Sequence, residues 1–162
     1  MKQMSKSRSY SHLHLLVRAL IMDRAQRILV ARSDPGFTFL PGGHAAPGES
    51  LAFALMRELR EELDFTPDCL TYLGAIEHRP EHRPAGDYEL NHFFRALPRA
   101  GERLDRLNSR EQRLTFEWCT LPALDSAVLL PAPVRPLLRS YAQGNVSPWW
   151  ASTLRGPLPH VT

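Results

Sequence analysis

The chain has 162 residues, 43% of them apolar and 23% charged, with a net charge of +3 and seven histidines besides. This suits one globular domain able to bury roughly two-thirds of its unfolded surface. It falls short of a nucleic-acid-binding signature, because the arginines are scattered rather than gathered, while a mild positive bias helps an anionic substrate approach. Residues 1–11 are basic and Ser-rich without the apolar core of a signal peptide, and read as a flexible arm. No apolar run approaches the roughly 20 residues of a membrane span. The expected location is therefore the cytoplasm, with no membrane partner. Cys69 and Cys119 stand beside apolar stretches far apart in sequence, and read as buried thiols in a reducing compartment.

In chain order, residues 12–22 form a β-type run in which Leu13, Leu15, Val17, Ala19 and Ile21 alternate with mixed neighbours. Residues 27–32 look like its hairpin partner across a turn at 23–26, and 37–40 form a short third strand that runs into Pro41-Gly42-Gly43. Ser50 suits the N-cap of a helix ending near Leu63. Its apolar stripe is read as Leu51, Ala52, Leu55, Met56, Leu59 and Leu63. Strands follow at 70–77, 88–97 and 113–119, with a His-, Arg- and Pro-rich loop at 78–86 between the first two. Residues 121–127 and 135–142 are short helical candidates, with Pro122 and Pro136 near their starts, where a missing N–H does least harm. The stretch from Gly144 onward has no clear period; its pair Trp149-Trp150 either stacks on a base or packs this tail onto the domain. The reading is an α/β sandwich: one domain over residues 12–143, an arm at 1–11 and a tail at 144–162.

One stretch carries chemistry. It runs Gly42-Gly43-His44-Ala45-Ala46-Pro47-Gly48-Glu49, then seven residues, then Arg57-Glu58-Leu59-Arg60-Glu61-Glu62-Leu63-Asp64-Phe65. Glu58, Glu61 and Glu62 at i, i+3 and i+4 share one helix face, about 5–6 Å apart. Three like charges there destabilise the helix unless a cation sits between them. Oxygen donors clustered on an anchored helix suit Mg²⁺ or Mn²⁺. A merely solvated acidic face would leave the preceding Pro-Gly-Gly and the upstream Glu49 unexplained.

At these residues the chain resembles the Nudix hydrolases, whose signature is G-x(5)-E-x(7)-R-E-U-x-E-E-x-G-U, with U a bulky apolar residue. Gly43, Glu49, Arg57, Glu58, Leu59, Glu61, Glu62 and Phe65 fall in register. Asp64 stands where the family has Gly, which suggests a left-handed backbone at the helix end. Asp visits that region more readily than most residues, at a cost of about 1 kcal/mol. The resemblance implies an α/β/α sandwich with a central mixed sheet, and Mg²⁺ or Mn²⁺ bound by the Gly42 carbonyl, Glu58, Glu61 and Glu62. It also implies that Arg57 orients a carboxylate rather than touching substrate, and that Glu49 is a partner behind the ligands. A further carboxylate from outside the signature is expected to handle the attacking water, either Glu111, seven residues ahead of Trp118, or Glu89 in Tyr88-Glu89-Leu90-Asn91-His92. Arg79 and Arg83 either clamp phosphates or a leaving group, or belong to a solvated connection; Pro80 lies near a proline of ADP-ribose-cleaving relatives. Trp118 reads as core.

The implied activity is hydrolysis of a nucleoside diphosphate linked to another moiety, the alternative being a non-catalytic nucleotide sensor. The implied partner is that small molecule. RNA would want a larger basic surface, and a homodimer stays open.

Overall fold

Alternation along the first strand decides the layers. The computed structural model describes residues 12–33, 36–81, 86–102, 104, 107, 109–110 and 112–154. In strand β1, Leu13–Leu20, and just beyond it, Val17, Ala19 and Ile21 enter one apolar cluster, while Leu20 and Met22 enter another. Period-2 geometry makes these the two faces of one strand. Helix α1, Leu51–Leu63, covers the first face with Ala54, Leu55, Leu59 and Leu63. Helices α2, Leu121–Ser126, and α3, Val134–Ala142, cover the second with Leu124, Val134 and Leu138. The layers are thus helix, sheet, helix.

The sheet layer consists of two mixed four-stranded sheets. The remaining strands are β2 (Ile28–Ser33), β3 (Phe37–Phe39), β4 (Cys69–His78), β5 (Tyr88–Leu97), β6 (Leu114–Cys119), β7 (Leu129–Leu130) and β8 (Trp149–Ser152). One sheet has the order β1-β5-β4-β8, the other β6-β2-β3-β7. In the first, β1 runs parallel to β5 and β8 parallel to β4, while β4 and β5 are antiparallel.

Three expectations are corrected. The hairpin of β1 with β2 does not form: beyond the turn they share only the Met22–Ile28 bridge, because β3 and β6 occupy both edges of β2. The apolar stripe of α1 excludes Ala52 and Met56, which are exposed; Ala54 belongs to it instead. Cys119 is a buried thiol as expected, but Cys69, at the outer end of β4, is exposed. The stretch after Gly144 also gains structure that its sequence did not announce. Trp149 is 4% exposed and packs between Phe93 and Tyr141, at ring distances of 5.5 and 6.2 Å, while Trp150 points outward. Packing, not base stacking, accounts for Trp149. Among the described residues, no helix is long and apolar enough to cross a membrane.

Candidate active site

The segment 41–45 runs antiparallel along the free edge of β1. Val17 donates to the Gly43 carbonyl at 2.9 Å, Ala19 to Pro41 at 2.8 Å, and Ala45 to Leu15 at 3.0 Å. The approach is so close that a Cβ on Gly42 would sit 2.1 Å from the Val17 carbonyl oxygen, at a φ of +127°. Only glycine fits there. A Cβ on Gly43 would meet the Glu58 carboxylate at 2.4 Å, so that glycine's missing side chain is the space Glu58 occupies.

Helix α1 delivers its carboxylates to this turn. The Ser50 hydroxyl accepts from the Phe53 N–H at 3.3 Å as N-cap. At the other end Asp64 adopts φ 56°, ψ 30°, and its N–H reaches the Arg60 carbonyl at 3.0 Å, the left-handed cap that the signature's glycine implied. Arg110 braces this end from outside, donating its backbone N–H to the Glu62 carbonyl at 2.8 Å and its guanidinium to Asp64 at 2.6 Å.

Arg57 organises the acidic face. Its Nε and Nη2 grip Glu49 in a two-pronged contact at 2.9 and 3.0 Å. Nη1 donates to Glu58 at 2.8 Å and Glu61 at 3.2 Å, and Nη2 to the His44 carbonyl at 3.0 Å. This one cation offsets the repulsion between Glu58 and Glu61. These bonds hold the Glu49 carboxyl down to about 2 and raise the Arg57 guanidinium above its usual value. Arg57 thus contacts Glu58 and Glu61 on one side and Glu49 on the other.

The three acids are not equivalent. The Glu61 side chain is 57% exposed and that of Glu58 16%, whereas Glu62 is a buried residue whose Oε2 accepts from the Gly42 N–H at 3.3 Å. Glu62 shares a cleft of about 270 Å³ with Gly42, Gly43, His44, Glu89, Asn91 and Arg18. Glu89, on β5, is 8% exposed and accepts from the fully buried Asn91 amide at 3.3 Å. Of the two rival bases, Glu89 thus stands in the same cleft as Glu62, and Glu111 lies outside the described residues. Arg79 does not face this cleft. It lines an adjoining groove that shares Phe37, His78, Pro80 and Leu130 with it, and donates its backbone N–H to Thr153 at 3.0 Å. Arg83 also lies outside the described residues.

Arg18 and Asn91 were missed by sequence reasoning. Arg18 donates to the Gly42 carbonyl at 2.9 Å, the Leu40 carbonyl at 3.3 Å and Asn91 at 3.4 Å, beneath the Phe39 ring at 4.8 Å. Desolvation lowers its pKa below the usual arginine value, while the charges of Glu89, Glu62 and Glu58 pull it back up. The available signal was a lone arginine between Val17 and Ala19, in the most apolar part of β1.

The donors present fit a hard divalent cation. They are all oxygens, two of the carboxylates are largely screened from solvent, and Gly43 leaves the hollow that Glu58 fills. Among the described residues no three acidic, His or Cys side chains stand ready-converged. Arg57 donates to Glu58 and Glu61, and Arg18 to the Gly42 carbonyl.

A Gly-Gly turn sealed to a strand edge, receiving an acidic helix tied by one arginine, defines the class on this α/β scaffold. The NUDIX domain model matches residues 12–141; the chain belongs to that family and is a Nudix hydrolase. Solved structures resemble most of the chain. The E. coli ORF135 protein is 26% identical, with a TM-score of 0.60 over 81% of this chain and 89% of that one. The MutT NUDIX hydrolase of Burkholderia pseudomallei is 22% identical, with a TM-score of 0.63 over 79% and 97%. An ADP-ribose pyrophosphatase from Streptococcus suis is 16% identical, with a TM-score of 0.57 over 86% and 98%. The last two likenesses speak to the fold alone. No curated protein matches the sequence significantly.

Proposed function

We propose that this enzyme is a divalent-metal-dependent pyrophosphohydrolase that cleaves a nucleoside diphosphate linked to another moiety. The observation that carries this is the meeting of Glu62 and Glu89, both nearly buried, across one cleft at the Gly42-Gly43 turn. Arg18 already sets one cation beside these carboxylates, and the oxygen donors gathered there suit a hard divalent ion besides. Mg²⁺ or Mn²⁺ would be held by the Gly42 carbonyl, Glu58, Glu61 and Glu62. That ion would supply neutralisation of the charge developing on the diphosphate and a more acidic water.

The chain's own residues do the rest. Glu89, oriented by Asn91, takes the proton as water attacks phosphorus, and the phosphate-bearing leaving group departs with the bond's electron pair. Arg57 keeps Glu58 and Glu61 in place. Arg18, at the cleft floor, faces the developing negative charge. Arg79 and Arg83 remain the proposed contacts for the outer phosphate or leaving group, Arg79 from the adjoining groove. The sensor alternative is disfavoured because Glu58, Glu61 and Glu62 are all present.

A panel of nucleoside triphosphates, nucleoside diphosphate sugars, ADP-ribose and dinucleoside polyphosphates, each with Mg²⁺ or Mn²⁺, tests the reading by chromatography of products. Cleavage of a P–O–P linkage in at least one is expected. Nucleotide binding without turnover across the whole panel would favour the sensor.

A further inference from the structure

Strand register sets three polar side chains in one row. Glu89 and Asn91 are two residues apart on β5 and so share a face. Arg18 on β1 stands opposite Phe93, while Asn91 stands opposite Leu16, which makes Arg18 and Asn91 diagonal neighbours on that same face. Further along it, Leu20 and Phe93 belong to the apolar core. Asn91 is fully buried, so its amide must find its partners inside the protein.

An asparagine amide has a donor end and an acceptor end, and here the neighbours decide which way it faces. A guanidinium only donates. Arg18 Nε can therefore meet only the Asn91 Oδ1, and does so at 3.4 Å. The donor end is left turned to Glu89, where Nδ2 donates to Oε2 at 3.3 Å. Arg18 is itself fastened, its Nη1 donating to the carbonyls of Leu40 and Gly42 at 3.3 and 2.9 Å. Direction thus passes from the Gly-Gly turn through Arg18 and Asn91 to the Glu89 carboxylate.

We propose that Arg18 and Asn91 form one positioning unit for Glu89, in which the arginine fixes the polarity of the amide and the amide fixes the carboxylate. Neither side chain touches substrate in this role. Its effect on turnover rests on the reading of Glu89 as the proton acceptor, whereas the order of hydrogen bonds does not. Position 91 must accept on the Arg18 side and donate on the Glu89 side. Aspartate, of nearly the same shape, keeps the first half of that requirement and loses the second.

A double-mutant cycle on the full chain tests it. Asn91→Asp sets two carboxylates against each other and should lower melting by roughly 4–10 °C. Adding Glu89→Gln moves the charge from 89 to 91 without altering the total, and gives the new carboxylate a donor. The double variant should therefore melt within about 2 °C of Glu89→Gln alone, and fold even if Asn91→Asp by itself does not. Its Arg18 Nε–H resonance should move downfield, because the acceptor has become a carboxylate. On whichever panel substrate turns over, Asn91→Asp should cut kcat about 10–100-fold with KM little changed. With Glu89→Gln already present it should cost less than about threefold more. Wild-type melting in Asn91→Asp, a double variant no more stable than Asn91→Asp, an unmoved Arg18 signal or additive kinetic losses would overturn the proposal. Wild-type turnover in Glu89→Gln, with the melting cycle as expected, would instead remove Glu89 as the base and uphold the order of hydrogen bonds.

Discussion

Replacing Gly43 by alanine separates the position of a carboxylate from the stability of the fold. The new Cβ would lie 2.4 Å from Oε2, 2.5 Å from Cδ and 2.8 Å from Oε1 of Glu58, and meets no backbone at such distances. Ordinary contact requires about 3.5 Å, so the carboxylate must withdraw by roughly 1 Å, away from the Arg57 contact. Turning a side chain off its rotamer costs about 0.5–1.5 kcal/mol, and the glycine-to-alanine change returns about 0.4–1 kcal/mol through the unfolded chain. Melting should therefore shift by no more than about 4 °C. Turnover should fall on the order of 10²-fold, the usual cost of a 1 Å misplacement near the chemistry, and the apparent Mg²⁺ requirement should rise. Gly42→Ala is the contrast. Its Cβ would strike the Val17 carbonyl at 2.1 Å with φ at +127°, so that variant should lose about 3 kcal/mol or more, or fail to dock the turn. Thermal melts and hydrolysis rates on both variants decide it. Full activity in Gly43→Ala, or a melt as damaged as that of Gly42→Ala, would refute the reasoning.

Further outcomes follow from the same geometry. Because Arg57 holds Glu49 at about 2 rather than the ordinary 4.5, Glu49 contributes stability above pH 4.5 and loses it as pH falls toward 2. The melting difference between wild type and Glu49→Gln should shrink across that window, and a difference that grew on acidification would contradict the Arg57 contact. Asp64→Gly relieves a left-handed backbone but loses an exposed pair with Arg110; turnover should stay within a few-fold and stability within about 1 kcal/mol, checked by melts and kinetics. Glu89→Gln should cut turnover about 10²–10⁴-fold while leaving affinity for the first metal ion nearly unchanged, measured by calorimetry alongside Glu111→Gln. Only one of the two should behave so.

What was legible in the sequence was local. Ser50 and Asp64 announced the two ends of α1 because caps act within a few residues, and Arg57 reaches Glu61 at the spacing a helix prescribes. What was not legible depended on distant pairing. The run ending at Met22 and the run beginning at Ile28 look like a hairpin, yet β1 pairs with β5 from Leu13↔Tyr88 to Leu20↔Arg95, a choice made far along the chain. The two-residue β7 and the strand at Trp149 exist only because edges of β3 and β4 stood open. Helical spacing could place Glu58, Glu61 and Glu62 on one face but not rank them. The rank came from docking Gly42 on β1, which buries Glu62 and leaves Glu61 outside. Arg18 was hidden for the same reason: its partners at Gly42 and Asn91 come from two other segments.

The central claim is that the acidic face of α1 is where a metal ion and the chemistry meet. Its most direct test is hydrolysis by wild type and Glu62→Gln, stripped with chelator and titrated with Mg²⁺ or Mn²⁺, using whichever panel substrate turns over. Wild type should be inactive when stripped and recover fully on titration. Glu62→Gln should remain about 10²–10⁴-fold slower at saturating metal, need more of it, and melt no lower than wild type without metal, because one crowded charge has gone. Turnover by stripped wild type, or near wild-type turnover by Glu62→Gln, would contradict the claim.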